Sequence, residues 1–189
     1  RQPLPKFSPR FGFLLTTLLW LVTAIVGAIP FWLSPYGISP AEGFFESMSG
    51  LTTTGSTVLT GLDTLPRGIL IWRSMLQWLG GIGIVAIGLF LFPFLRIGGM
   101  QFFRTESSDR SDKAVPRMVN LTAALMAFYV VLTAACALAY AALGMDLFDA
   151  INHAMTTVAT GGYSTHDASF GYYGENLGLI WTSTIFMLA

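Results

Sequence analysis

Long uncharged apolar runs alternate along this chain with shorter, half-polar stretches, and that alternation predicts its elements. Phe11 to Leu33 carries no charge. As a helix rising about 1.5 Å per residue it would reach roughly 35 Å, enough to cross a hydrocarbon core of about 30 Å. A cleavable signal sequence has an apolar core of only about 7–15 residues, so this run is read as a span. Pro30, Trp32 and Pro35 mark its exit through an interface. A second run, Gly68 to Leu95, is interrupted only by Arg73 and Gln77 near its start. A third covers Met118 to Met145, and Leu177 to Ala189 begins a fourth.

The stretches between these runs are too short and too polar to cross. Ser39-Pro40-Ala41-Glu42 predicts a helix start, with Ser39 as N-cap, Pro40 in the first turn and Glu42 closing a capping box. Only about three turns follow before Thr52-Thr53-Thr54-Gly55-Ser56-Thr57. Non-helical backbone at membrane depth is tolerated only where it is buried in protein or lines a cavity, so a short re-entrant helix and loop are expected. The pattern recurs. Asp146 can cap a second short helix, with Asp149 three residues on, ahead of Val158-Ala159-Thr160-Gly161-Gly162-Tyr163. Residues 61–67 and 166–175 are polar returns.

Composition supports a membrane protein and narrows its chemistry. The chain is 53% hydrophobic and only 11% charged, about half the usual charged share. Its net charge of zero offers nothing to nucleic acid. The single Cys136 excludes an intrachain disulfide and makes a metal cluster improbable. The chain opens on Arg1 and stops inside an apolar run, so it is expected to be a piece of a longer protein. Arg1, Lys6 and Arg10 precede the first span, and Arg96, Arg104, Arg110, Lys113 and Arg117 occupy the loop after the second. The positive-inside rule makes that side cytoplasmic and puts both glycine loops at the outer face. Gly80-Gly81-Ile82-Gly83 is not a dinucleotide fingerprint, because no strand precedes it and no acidic partner follows about 20 residues on. Close helix packing is the better explanation.

Aligning Gly55 on Gly161 gives a repeat of 106 residues. The first span then falls inside the third apolar run, and Trp72 comes within three positions of Trp181. Residues 1–10 are accordingly a cytoplasmic segment and 11–95 a first unit, with spans 11–33 and 68–95, short helix 39–51 and loop 52–57. Residues 96–117 are a cytoplasmic loop. A second, truncated unit covers 118–189, with span 118–145, short helix 146–157, loop 158–163 and span 177–189. Both units run outward first, which makes them parallel repeats about an axis along the membrane normal. A short helix aims its partly negative C-terminal end at the membrane centre, which favours a cation there. A glycine loop behind it can turn carbonyls inward to replace the ion's water. Neither loop holds a carboxylate, which argues against a calcium or magnesium cage. Two loops cannot encircle an ion; four are needed.

The passage Phe44-Phe45-Glu46-Ser47-Met48-Ser49-Gly50-Leu51-Thr52-Thr53-Thr54-Gly55 resembles the first filter of the bacterial Trk-type potassium uptake subunit, in the Trk/Ktr/HKT superfamily. So do Trp72-Arg73-Ser74-Met75-Leu76-Gln77-Trp78-Leu79-Gly80-Gly81-Ile82-Gly83 and Phe102-Phe103-Arg104-Thr105-Glu106-Ser107-Ser108-Asp109-Arg110. The resemblance covers almost the whole chain. It implies an all-α membrane protein of tandem helix, re-entrant pore helix, filter loop and helix repeats. The fold would be a pseudo-fourfold, potassium-channel-like pore with two of its four repeats here. It also implies a homodimer in the bacterial inner membrane, gated by a cytoplasmic nucleotide-binding ring protein. Potassium would be the substrate, with no covalent cofactor and no enzymatic step. Carried over residue by residue, Thr53, Thr54, Gly55 and Ser56 would line the first quarter of the filter, and Ala159, Thr160, Gly161 and Gly162 the second. The second loop departs from the family pattern, with alanine for a threonine at 159 and Gly162 following Gly161.

Other residues receive plainer readings. Arg73 is expected to snorkel or to anchor the re-entrant helix through Glu42 or Glu46, rather than to repel cations. His153 is expected to be a packed or hydrogen-bonded helix residue, although His166 and Asp167 beyond the loop leave a metal site conceivable. Phe92, Phe94, Phe102 and Phe103 among basic residues suit either an interfacial stretch or contact with a cytoplasmic partner. The competing functions are sodium transport or coupled cation transport, a non-conducting assembly subunit, and a membrane enzyme. The spans hold no paired carboxylates, metal spacing or nucleophile motif to support the last.

Overall fold

A computed structural model describes residues 9–95, 111–174 and 176–189, with side chains outside 86–120. The described residues are helical, without strands: α1 Pro9–Trp32, α2 Pro40–Leu51, α3 Arg67–Leu95, α4 Ser111–Ala142, α5 Leu147–Val158 and α6 Leu177–Leu188. Short 3-10 turns, Leu62–Thr64 and Ser169–Tyr173, lie in the two polar returns. Segments Arg10–Trp32, Arg67–Val85 and Leu121–Ala142 are long and apolar enough to cross a membrane.

The short helices begin as their sequences dictate. The Ser39 hydroxyl accepts from the Glu42 N–H, and the Glu42 carboxylate accepts from the Ser39 N–H at 2.8 Å, which completes the capping box. The Asp146 carboxylate accepts from the Phe148 N–H. Asp149 closes no second box; its carboxylate turns to Thr165, His166 and Tyr173. One boundary differs from the sequence reading. α4 starts at Ser111, so residues 111–117, with charged Asp112, Lys113 and Arg117 among them, are helix and not loop. A helix need not stop where its apolar run stops, since Lys113, Ala114 and Arg117 there are good helix formers. The aromatic and basic stretch at 96–110 lies outside the described residues.

Each unit builds its own small core around its short helix. In the first, Ala24, Phe31, Leu51, Ile69 and Leu76 are buried together, with Trp20, Phe44 and Trp72 packed against them. In the second, Cys136, Tyr140, Met145, Ala150, Ala154 and Leu179 do the same. Indole N–H groups tie the elements where apolar packing cannot fix their register. Trp32 donates to the Pro40 carbonyl, Trp72 to the Gly27 carbonyl and Trp78 to the Thr133 hydroxyl. The outward faces of α1 and α4 keep many large apolar side chains exposed, among them Leu14, Val22, Phe128 and Val131.

α3 is the hinge of the assembly, since it packs on α1 and α2 of its own unit and on α4 and α5 of the next. Its glycines explain how. A Cβ on Gly80 would lie 2.0 Å from the Leu51 carbonyl oxygen, and one on Gly81 would lie 2.6 Å from the Tyr129 hydroxyl. The glycine run is therefore a helix-packing feature.

Candidate functional site: the paired loops and their bracing

Both short helices end in the same way. Thr52 caps α2, the Thr53 N–H donates to the Gly50 carbonyl, and the Thr54 N–H reaches back to the Ser49 carbonyl. Ala159 caps α5, the Thr160 N–H donates to Thr157, and the Gly161 N–H donates to Thr156. This is the Schellman arrangement, in which the residue after the cap turns left-handed and is ordinarily glycine. Here it is threonine in both loops, at φ +54° in Thr53 and +54° in Thr160. A β-branched residue at positive φ is strained by about 1–3 kcal/mol, and such strain concentrates at functional positions. Two residues later the chain turns left-handed again, at Gly55 (φ +78°) and Gly162 (φ +81°).

These angles correct the repeat length. Caps, left-handed threonines and left-handed glycines are each 107 residues apart, not 106. Gly162 is the counterpart of Gly55, and Gly161 that of Thr54. Ala159 then matches the capping Thr52 and not Thr53. Glycine identity alone misaligned the loops, because the position that requires positive φ is the second of the Gly161-Gly162 pair.

The loops touch. A Cβ on Gly55 would lie 1.8 Å from the Gly161 carbonyl oxygen. Among the expected lining residues, Thr54, Ser56, Thr160 and Gly162 are exposed, Thr53 and Gly55 are half-buried, and Ala159 and Gly161 are buried. The Ser56 carbonyl is turned back into the protein, where it accepts from the Ser49 hydroxyl at 2.6 Å and the Tyr163 hydroxyl at 3.3 Å. An open cleft of about 430 Å³ lies against Gly55, Thr57, Gly162, Ser164, His166 and Asp167.

A buried ion pair braces the first loop. The Glu46 carboxylate accepts from Arg73 Nε at 3.0 Å, with the two side chains 0% and 1% exposed. Its other oxygen accepts from the Thr57 hydroxyl and the Val58 N–H, both at 2.7 Å. Of the two expected anchors for Arg73, Glu46 is the one used. Arg73 also crosses to the second unit, donating from Nη1 to the Ser164 carbonyl and lying 4.3 Å over the Tyr163 ring. The second loop is braced at the equivalent point by different chemistry. His153, 107 residues after Glu46, pairs its Nε2 with the Ser164 hydroxyl at 3.0 Å, as Glu46 pairs with Thr57. It is the hydrogen-bonded helix residue expected of it, and no metal-ligand cluster occurs among the described residues.

A second bridge at the surface joins the units. The His166 imidazole sits between Asp63 of the first polar return and Asp149 of α5, with Tyr172 stacked 3.5 Å from its ring. Partial burial works against the imidazolium, but the hydrogen bonds it donates to the Asp63 and Asp149 carboxylates outweigh this and raise the His166 pKa. The same bond from His166 holds Asp63 below the usual carboxylate range. Neither this bridge nor the contacts of Gln77 and Tyr163 were foreseen. The available signal was a polar pair, Arg73 and Gln77, one helical turn apart within an apolar span.

Comparison with known proteins places this geometry. Residues 5–189 match the TrkH family model, described as a cation transport protein. The chain is 46% identical to the Trk system potassium uptake protein TrkI of Halomonas elongata, over 97% of this chain and 37% of that protein. It is 48% identical to the Trk system potassium uptake protein TrkH of Escherichia coli K12, over 92% of this chain and 36% of that one. It superposes on the crystal structure of the potassium transporter TrkH from Vibrio parahaemolyticus with a TM-score of 0.84 and 41% identity, covering 100% of this chain and 37% of that one. The chain thus spans little more than a third of the length of its relatives. With its apolar helices and these relatives the protein is membrane-integral, and the chain belongs to the TrkH family of cation transport proteins.

Proposed function

We propose that this chain supplies two of the four walls of a potassium uptake pathway, with the loops after α2 and α5 as half of its selectivity filter. The observation that carries the reading is the doubled turn: left-handed threonine, then left-handed glycine, at the end of each short helix. Residues of alternating handedness carry their N–H groups on one edge of the ribbon, which leaves the carbonyls to the other. Here the scaffold takes N–H groups, as Gln77 does for Tyr163 and Glu46 for Val58. Carbonyls of Thr53, Thr54 and Gly55, and of Thr160, Gly161 and Gly162, are assigned to the ion. Ser56 and Ala159 are assigned supporting places, the first because its carbonyl is already bonded and the second because it is a buried cap. The negative ends of both short helices favour a cation at the same point.

Transport needs no covalent chemistry. An ion sheds water at the outer cleft, passes the carbonyl rings and is drawn inward by about 2.3 kcal/mol per charge per 100 mV. The names of the relatives support potassium as the ion. Two further repeats, a homodimer, a cytoplasmic nucleotide-binding regulator, outward-facing loops and an inner-membrane location complete the proposal. The test is rescue of a potassium-uptake-deficient cell at micromolar potassium by the full-length protein. Gly55→Ala, which needs both a left-handed alanine and room where the Gly161 carbonyl oxygen lies, should abolish rescue without removing the protein from the membrane. Unimpaired rescue by this variant would remove the filter assignment. Sodium flux exceeding rubidium flux in one liposome preparation would favour the sodium reading.

A further inference from the structure

Gln77 stands one turn along α3 from Arg73 and is fully buried at the seam between the two loops. Its Oε1 accepts the Tyr163 N–H at 3.0 Å, the first backbone donor after Gly162. Its side chain also dictates the residue before Gly162. A Cβ on Gly161 would lie 2.0 Å from Gln77 Cδ and 2.3 Å from its Cγ and Nε2. On the other side, the same Nε2 is 3.6 Å from where a Cβ on Gly55 would stand. One side chain from the first unit therefore abuts both loops. It makes its single hydrogen bond to the second loop, and its Nε2 has no hydrogen-bond partner among the described residues.

We propose that Gln77 is a specificity-determining positioning residue, which fixes the second loop against the first by holding the Tyr163 N–H and thereby sets the preference for potassium over sodium. The inference rests on the potassium-pathway reading and adds a residue that does not itself meet the ion. Its physical basis is the lack of slack around the amide. Gly161 is closed against Gln77, Gly55 is closed against Gly161, and Tyr163 is pinned through its hydroxyl to the Glu46 carbonyl at 2.9 Å. The Tyr163 N–H is a buried donor. Without its acceptor it must find another partner, and the loop backbone is what can move to find one.

The experiment uses full-length protein in liposomes, with rubidium and sodium fluxes measured in one preparation. Gln77→Leu keeps the volume and removes the acceptor, and Gln77→Glu keeps an acceptor oxygen in place. The rubidium-to-sodium ratio should fall about tenfold in Gln77→Leu and stay within about threefold of wild type in Gln77→Glu, the scale set by one hydrogen bond to a buried donor. Rubidium uptake itself should persist in both, a split that a general packing defect would not give. An unchanged ratio in Gln77→Leu overturns the role of Gln77 and leaves the pathway standing. Wild-type protein that carries neither ion overturns both. If Gln77→Leu is not recovered from membranes, Gln77→Asn decides. It is one methylene too short to reach Tyr163, so its ratio should fall likewise, and a wild-type ratio there overturns the proposal.

Discussion

Glu46→Gln is the sharpest probe of how the first loop is held. The substitution keeps an oxygen for Thr57 and Val58 but removes the charge facing Arg73 Nε at 3.0 Å. Arg73 is 1% exposed, and among the described residues it keeps only the Ser164 carbonyl and the Tyr163 ring. Leaving a buried charge without its partner costs roughly 3–5 kcal/mol. Arg73→Met should cost less, because the remaining carboxylate keeps the Thr57 and Val58 donors. In the double variant Glu46→Gln with Arg73→Met neither charge is stranded, so its loss should be smaller than the two single losses added, by about 1–3 kcal/mol. The assay is unfolding of the full-length protein in mild detergent, followed by size-exclusion recovery after heating and by denaturant titration. Additivity of the single losses within about 0.5 kcal/mol would refute the reasoning, since it would mean that the pair is uncoupled.

Four further outcomes are expected. Gly80→Ala should destabilise by about 1–3 kcal/mol, because its Cβ meets the Leu51 carbonyl oxygen at 2.0 Å. Gly68→Ala, with nothing within 4 Å, should instead stabilise α3 by about 0.5–1 kcal/mol, and opposite shifts in melting temperature check both. The His166 bridge contributes stability that is full below its ordinary pKa of 6.5 and is lost as pH rises through its raised folded value. Melting temperature should therefore fall from about pH 6.5 upward in wild type and stay flatter in His166→Gln. Ser39→Ala removes one member of the capping box and should cost about 1 kcal/mol, visible as faster amide exchange in the first turn of α2.

Spans, short helices and caps were legible because each depends on neighbours in sequence. Ser39 and Glu42 are three apart, and an apolar run states its own length. The loops were legible as loops but not in register. Two adjacent glycines offered two alignments, and only the backbone angle distinguishes Gly162 from Gly161. The start of α4 was hidden because charge marks where a membrane ends, not where a helix does. The bracing was legible only in its local half. Arg73 could be given Glu46 as a candidate partner across one unit, but its bond to Ser164 spans 91 residues, that of Gln77 to Tyr163 spans 86, and that of His166 to Asp63 spans 103. No periodicity encodes such pairs.

The reach of Arg73 has a consequence for how the chain is made. Glu46 leaves the ribosome before Arg73, so the first helical hairpin can enter the bilayer as a neutral pair. Ser164 follows Arg73 by 91 residues, about 5–20 s later at ordinary elongation rates of roughly 5–20 residues per second. Through that interval Arg73, the Gln77 amide and the inner faces of the first unit stand without their later partners. Protection of Arg73 during insertion therefore falls to Glu46 alone.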